Sequence, residues 1–459
     1  MRYLAACLLL SGLVACTAAN TNTPVSADAT HAGAPLPFID DDYPRALAEA
    51  KAKGVPLFVD VWAPWCHTCR SMKAYVLSDK SLAAHADRFV WLQVNTDLTQ
   101  NAAFQEQFPI EFWPTLFIID PRAEKPLLRF AGSATVDQLV KLFEDGERAY
   151  KGGVTGAEAL LARGDALSGE GRSAEAAEAL TEALAEAPAD WSRRGRALES
   201  LLMVLYSTFD EAKAKECATK ALEMLPGTPR SLSWANSAAT GLMCSLMVPD
   251  GAAGVTELRA ALEAKVVEAM GPPAIQMAGD DRSGLYDARV AARKAAKDEA
   301  GVKVLAEEWL KYLEGEAARA PNADARSVFD SHRMSAAMKL GQMERVVPAL
   351  LQSEKDLPHD YNPPARLSSA YKTLGRLDEA LAASDRALAL VQGARRLSVV
   401  STRVDILIAR KDSAGAAKTL EDAIAYAKTL PAAQVSPRLV KNLEKKLTEL
   451  QATAQPAPK

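Results

Sequence analysis

The 459-residue chain has little cysteine: six residues, at positions 7, 16, 66, 69, 217 and 244. That density excludes a small scaffold held together by disulfides. It offers no apolar run long enough for a bilayer: the stretch 4–15 falls short of the ~20 residues a spanning helix needs. No charge of one sign dominates, with 54 basic against 58 acidic residues and a net charge of −4. Lysines and glutamates interleave as on solvated helices. With no basic run and no aromatic–basic stripe, nucleic acid is not an expected partner. The chain is too long for one ordinary core, so two or more domains are expected.

Met1-Arg2-Tyr3 followed by apolar 4–15 reads as a secretory signal peptide, residues 1–15. Its end, Leu13-Val14-Ala15-Cys16, resembles the bacterial lipobox. That resemblance implies cleavage before Cys16 and lipidation of Cys16, a membrane association by lipid anchor only, and a place on the periplasmic face of a membrane. Thr17 stands where an Asp marks inner-membrane retention, which favours the outer membrane. An ordinary signal peptide with a chance cysteine is the alternative. Residues 16–35, nearly uncharged and made largely of Ala, Thr, Asn, Pro and Gly, read as the lipidated Cys and a flexible tether.

The most informative stretch is Val59-Asp60-Val61-Trp62-Ala63-Pro64-Trp65-Cys66-His67-Thr68-Cys69-Arg70. A β-branched run delivers Cys66 to the first turn of a helix, where unpaired N–H groups and the helix dipole favour a thiolate. Cys69, one turn on, can reach back to close a disulfide. A zinc site needs about four ligands, and the other cysteines form no second close pair; haem attachment needs His after the second Cys, where Arg70 stands. No metal and no cofactor beyond a redox-active Cys66–Cys69 disulfide are expected. A plain structural pair is the remaining alternative. Cys217 and Cys244 lie in apolar helical patterns and read as small core residues.

This segment resembles the active site of thioredoxin. The likeness continues at Val94-Asn95-Thr96-Asp97, at Phe112-Trp113-Pro114-Thr115-Leu116-Phe117-Ile118-Ile119 and at Phe130-Ala131-Gly132, and covers residues 36–150. Its flanks look closer to periplasmic thioredoxin-like domains such as the C-terminal domain of DsbD-type interchange proteins. The resemblance implies that Cys66 is the nucleophile and Cys69 the resolving thiol. It implies that Asp60 is the buried acid serving Cys69, against the alternative of a solvated edge residue. It also implies that Pro114 is a cis-proline facing the pair. Trp65, His67 and Trp113 are candidate substrate-positioning residues; His67 either tunes the thiol or is an exposed spacer. Gln93 stands where thioredoxins often place a Lys paired with the buried acid, and Trp113 replaces the usual small β-branched residue.

Periodicity predicts helix over 43–53, strand over 56–62, helix over 70–86, strand over 89–94, helix over 101–108, strands over 115–119 and 127–130, and helix over 136–150. That order is α/β and fits a thioredoxin fold. Beyond residue 155, proline is sparse within long Ala-, Leu- and Glu-rich stretches. Leu160, Gly164, Leu167, Ala176, Ala183 and Pro188 fall at the signature positions of a tetratricopeptide (TPR) unit. Leu198, Leu202, Leu205, Ala214, Ala221 and Pro226 repeat the register. Tyr371, Gly375, Ala380 and Ala387 form a third unit, and Ala416 and Ala423 a fourth. Residues 230–360 fit weakly, with a long loop over 271–284. An all-α TPR-like solenoid of about seven helix pairs is expected over 156–435, with a capping helix over 436–450 and a disordered tail over 451–459.

The resemblance to TPR proteins implies a partner protein or peptide in the concave face; a spacing role is the alternative. Trp191, Trp234 and Trp309 read as buried packing residues before groove anchors. Two functions follow. One is a protein thiol:disulfide oxidoreductase, by likeness a reductase or isomerase. It acts on protein disulfides chosen by the TPR array and needs an upstream electron donor. The other is a TPR binding lipoprotein whose cysteine pair is a switch or vestigial.

Overall fold

The computed structural model describes residues 35–208 and 210–454. The expected signal peptide, Cys16 and most of the expected tether lie outside the described residues, as do residues 455–459.

The first part is a five-stranded sheet: β1 (Phe38–Asp40), β2 (Leu57–Trp62), β3 (Val90–Asn95), β4 (Thr115–Asp120) and β5 (Lys125–Ala131), in the order β1-β3-β2-β4-β5. β3 runs parallel to β1 and β2, while β4 is antiparallel to β2 and β5. β1 was not expected; three residues are too few to show a period. Helix α1 (Tyr43–Lys53) packs on one face with α3 (Ala102–Gln107), burying Leu57, Val59, Val61, Leu92, Val94 and Phe117. The other face carries α2 (His67–Tyr75) and α4 (Val136–Lys151) over Phe58, Trp91, Leu116, Ile118 and Phe143. Side chains alternate along a strand, so Asp60 and Gln93 share the face of Phe58 and Trp91, beneath α2.

The active-site helix is shorter than the expected 70–86. It starts at His67 and ends at Tyr75, and residues 80–88 form a separate 3₁₀ turn. Asp79 breaks the run, because its side chain accepts the Ser81 N–H at 2.9 Å and starts a new turn.

The second part is all helix. Among the described residues it forms seven pairs. They are α5 (Gly156–Gly169) with α6 (Ser173–Glu186), α7 (Arg194–Ser207) with α8 (Glu211–Met224), and α9 (Leu232–Met247) with α10 (Val255–Met270). Next come α11 (Gly279–Ala295) with α12 (Glu299–Arg319), then a short α13 (Ala323–Ser327) leading into α14 (Asp330–Leu340) with α15 (Val347–Asp356). The last are α16 (Asn362–Thr373) with α17 (Leu377–Leu390), and α18 (Arg395–Ala409) with α19 (Ser413–Ala427), followed by α20 (Pro437–Ala454). α20 runs past the expected end at 450. Ala176, Ala183, Ala214, Ala221, Ala380, Ala387, Ala416 and Ala423 are all buried, and their small side chains let paired helices approach. Gly241 does the same: a Cβ there would lie 2.4 Å from that of Ala221. The loop expected over 271–284 is shorter, since Gly279 already begins α11.

Two expectations about the array are corrected. Cys217 and Cys244 are not free core residues: they form a disulfide between α8 and α9, 27 residues apart in sequence and fully buried. Packing of successive antiparallel helices brings them together, which spacing along the chain does not reveal. The inner face of the array is also not an open groove. The first helices of successive pairs contact the sheet domain. α5 packs on β5 so closely that a Cβ at Gly169 would lie 2.7 Å from Pro126. Trp191, Trp234 and Trp309 are buried, with the indole N–H of Trp234 donating to Leu225 O and that of Trp309 to Ser283 Oγ.

Candidate active site

Cys66 caps the N-terminus of α2 and is joined to Cys69 by a disulfide. The Cys69 N–H donates to Cys66 Sγ at 3.0 Å. An N–H aimed at this sulfur favours its anionic form once the bond is reduced. Ala63 and the rings of Trp62, Trp65 and Trp113 pack around the pair. The Trp113–Pro114 peptide bond is cis and Pro114 is buried. Trp113 lies edge-on to Trp65 with ring centres 5.1 Å apart, and its indole N–H donates to Thr96 Oγ1 at 2.9 Å.

Asp60 is 1% exposed, and among the described residues its Oδ1 accepts no hydrogen bond. Burial pushes its carboxyl up to about 6, with Lys73 pulling the other way. A carboxyl poised there can take or return a proton near neutral pH. The missing cation at position 93 is supplied from elsewhere. Lys73, on α2 directly above, lies 3.0 Å over the Trp62 ring and donates to Gln93 Oε1 at 2.8 Å. Burial lowers Lys73 to about 8, with Asp60 the strongest opposing influence. Sheet alternation and the helix position together could have found this pair; a strand-by-strand comparison could not.

Cys66 is 5% exposed, and Cys69 1%. Tryptophans of its own domain pack on Cys66, and the helical array contacts its chain neighbours Pro64, Trp65, His67 and Arg70. Asn362 Nδ2 donates to Pro64 O at 3.0 Å, beside the pair. Arg70 forms an ion pair with Asp360 and donates to Ser327 Oγ at 2.7 Å. Asp97 accepts from Trp65 Nε1 and from the Tyr361 hydroxyl, each at 3.1 Å, while the Arg395 guanidinium sits 5.1 Å over the Trp65 ring. Gly393 touches the Asp97 backbone, where a Cβ would lie 1.8 Å from the carbonyl oxygen. Gln434 donates to the carbonyls of Thr96 and Leu98 at 3.2 and 2.8 Å.

His67 is half-exposed and also turned toward the array. Its Nδ1 lies 2.8 Å from Asp280 Oδ1 on α11 and 3.1 Å from His332 Nε2 on α14. His332 Nε2 is 3.0 Å from the same carboxylate oxygen. Burial pushes Asp280 up, but the two imidazoles hold it far below the usual carboxylate range. Asp280 and His332 had no signal in the sequence; they lie 213 and 265 residues from His67.

Residues 39–121 match the family model described as thioredoxin-like, and residues 157–190 and 365–390 match that of the tetratricopeptide repeat. The thiol:disulfide interchange protein DsbD of Pseudoalteromonas atlantica is 38% identical over 82 residues, 17% of this chain and 14% of that protein. Thioredoxin 1 of Synechococcus elongatus is 36% identical over 70 residues, 15% of this chain and 62% of that protein. A tetratricopeptide repeat protein from Parabacteroides merdae, solved by crystallography, matches at a TM-score of 0.40 and 14% identity, over 64% of this chain and 98% of that one. The chain thus carries an N-terminal thioredoxin-like domain and TPR repeats. Its likeness to the DsbD relative spans about a seventh of that protein's length. These likenesses support thiol–disulfide chemistry in general terms.

Proposed function

We propose that the protein is a thiol:disulfide oxidoreductase of the bacterial cell envelope, held by lipid at Cys16. The reading is carried by one observation: a Cys66–Cys69 disulfide at a helix N-terminus, with a buried carboxyl, Asp60, on the strand that leads into it. In the reducing direction Cys66 thiolate attacks one sulfur of a substrate disulfide. That S–S bond breaks, a mixed disulfide forms, and one substrate thiolate leaves. Cys69 gives its proton to Asp60 and attacks Cys66 Sγ, which releases the second substrate thiolate. The substrate gains two electrons and the enzyme ends as the Cys66–Cys69 disulfide, so a dithiol donor must reduce it again. The buried Cys217–Cys244 bond supports an oxidising compartment. Substrate proteins engage after the array moves off the active face, and the TPR helices take part in choosing them.

The burial of Cys66 favours a second reading, in which the array is a binding module and the cysteine pair a redox switch that sets its shape. Insulin reduction by dithiothreitol separates the two: acceleration over the uncatalysed rate supports the enzyme, and its absence with a folded, reduced protein supports the switch. For the anchor, Cys16→Ser should block lipidation and normal processing. Membrane-bound mature protein without acyl modification would overturn that part.

A further inference from the structure

The three atoms His67 Nδ1, Asp280 Oδ1 and His332 Nε2 form a closed triangle with sides of 2.8, 3.0 and 3.1 Å. Hydrogen bonds cannot satisfy all three sides. Each ring nitrogen carries at most one proton and a carboxylate only accepts, so if both nitrogens donate to Asp280 they face each other as two N–H groups. A cation at the apex satisfies all three atoms at once. Ligands ~2.1 Å from one ion stand about 3.4 Å apart at tetrahedral angles and about 3.0 Å apart at right angles, so the triangle has the size of one face of an octahedral site.

We propose that His67, Asp280 and His332 bind a divalent first-row transition-metal ion. Two imidazoles and one carboxylate are the donor set such ions take, and three protein ligands leave open positions for water or a further ligand. The surroundings fit a bound cation. The Asp280 side chain is 1% exposed and that of His332 9%, while His67 at 38% leaves a way in from solvent. Asp287 adds negative charge near His67, and Arg366 offsets part of it. Asp281, next in the chain, accepts from Ser133 and from the Ala278 N–H, which fixes the start of α11 and with it Asp280. The ligands come from α2, α11 and α14, so a bound ion joins the active-site helix to two helices of the array. The site stands on its own geometry and does not depend on the direction of thiol exchange.

The test uses the full-length protein with both disulfides formed, free thiols blocked with N-ethylmaleimide and metal stripped by chelator. Cysteine then cannot bind the probe. Titration with Zn²⁺ alone, followed by calorimetry, should give one saturable site per chain. His67→Ala, at a half-exposed position, and His332→Ala should each weaken it tenfold or more. Co²⁺ should give visible d–d bands that His67→Ala removes. Thermal melts check folding, and if His332→Ala fails to fold, His67→Ala alone decides. No saturable binding to the parent protein, or equal affinity in the parent and His67→Ala, overturns the site.

Discussion

The chain's two disulfides show how surroundings decide what one bond does. Cys217–Cys244 links neighbouring helices through a separation of 27 residues and lies wholly within apolar packing. Cys66–Cys69 closes a separation of 3 at a helix N-terminus, ringed by tryptophans, after the strand that carries the buried Asp60. The long loop confines the unfolded chain and favours the fold; the short loop confines it less, and its sulfurs sit where a thiolate is stabilised. On the function proposed above, one is built to persist and the other to exchange.

The sharpest way to break that comparison is to remove the first cysteine. Cys66→Ser should bring insulin reduction down to the uncatalysed rate. Cys69→Ser should keep attack but lose resolution, so mixed disulfides accumulate on non-reducing gels. Trapping by Cys66→Ser and not by Cys69→Ser would reverse the two roles. The second test is the converse. Cys217→Ser with Cys244→Ser should cost about 3–4 kcal/mol of stability by the loop-entropy estimate, read as a lowered denaturant midpoint, and leave insulin reduction in place. If activity falls with stability intact, the buried bond is more than a staple.

Much of the first domain was legible, because strand period, turn residues and the Cys-x-x-Cys context all agree there. The repeats were legible where the small residues recur, at Ala176, Ala183, Ala380 and Ala387. They faded over 230–360, where helices such as α12 reach 21 residues and depart from the repeat length. The rest was hidden for one physical reason: the contacts that define the site cross between the parts of the chain. Neither Asp280 beside His67 nor Asp360 beside Arg70 has a local pattern, and Lys73 met Asp60 only through the packing of α2 on the sheet.

That crossing supplies the third test, which concerns access. Asp360→Ala with Asn362→Ala removes the Arg70–Asp360 ion pair and the Asn362 hydrogen bond to Pro64 O. Arg70 then keeps its bond to Ser327 Oγ and a longer pair with Asp324, but loses its strongest partner in the closed array, a loss that water makes good when the array opens. Charged hydrogen bonds are worth about 1.5–3 kcal/mol, so reduction of Cys66–Cys69 by tris(2-carboxyethyl)phosphine should quicken roughly tenfold or more. An unchanged rate would mean that these contacts do not control access to the active site.

The smallest effect expected is the most specific to the exchanging bond. Asp60 ionises at about 6 when folded, against an ordinary 3.8. Below about pH 3 it is neutral in both the folded and unfolded chain and costs nothing. Between about pH 3 and 6 the unfolded chain ionises first, so stability falls as pH rises. Above 6 the full penalty is present, at most ~3 kcal/mol for a shift of about two units. Asp60→Asn removes the penalty but leaves Lys73 without its strongest partner, so the net gain at pH 7 should be roughly 1–2 kcal/mol and should vanish by about pH 3. Denaturant midpoints at the two pH values read it. The same variant should slow insulin reduction if Asp60 takes the Cys69 proton, as the proposed mechanism has it. A loss of stability at pH 7, with reduction unchanged, would make Asp60 a structural partner of Lys73 and remove it from the exchange chemistry.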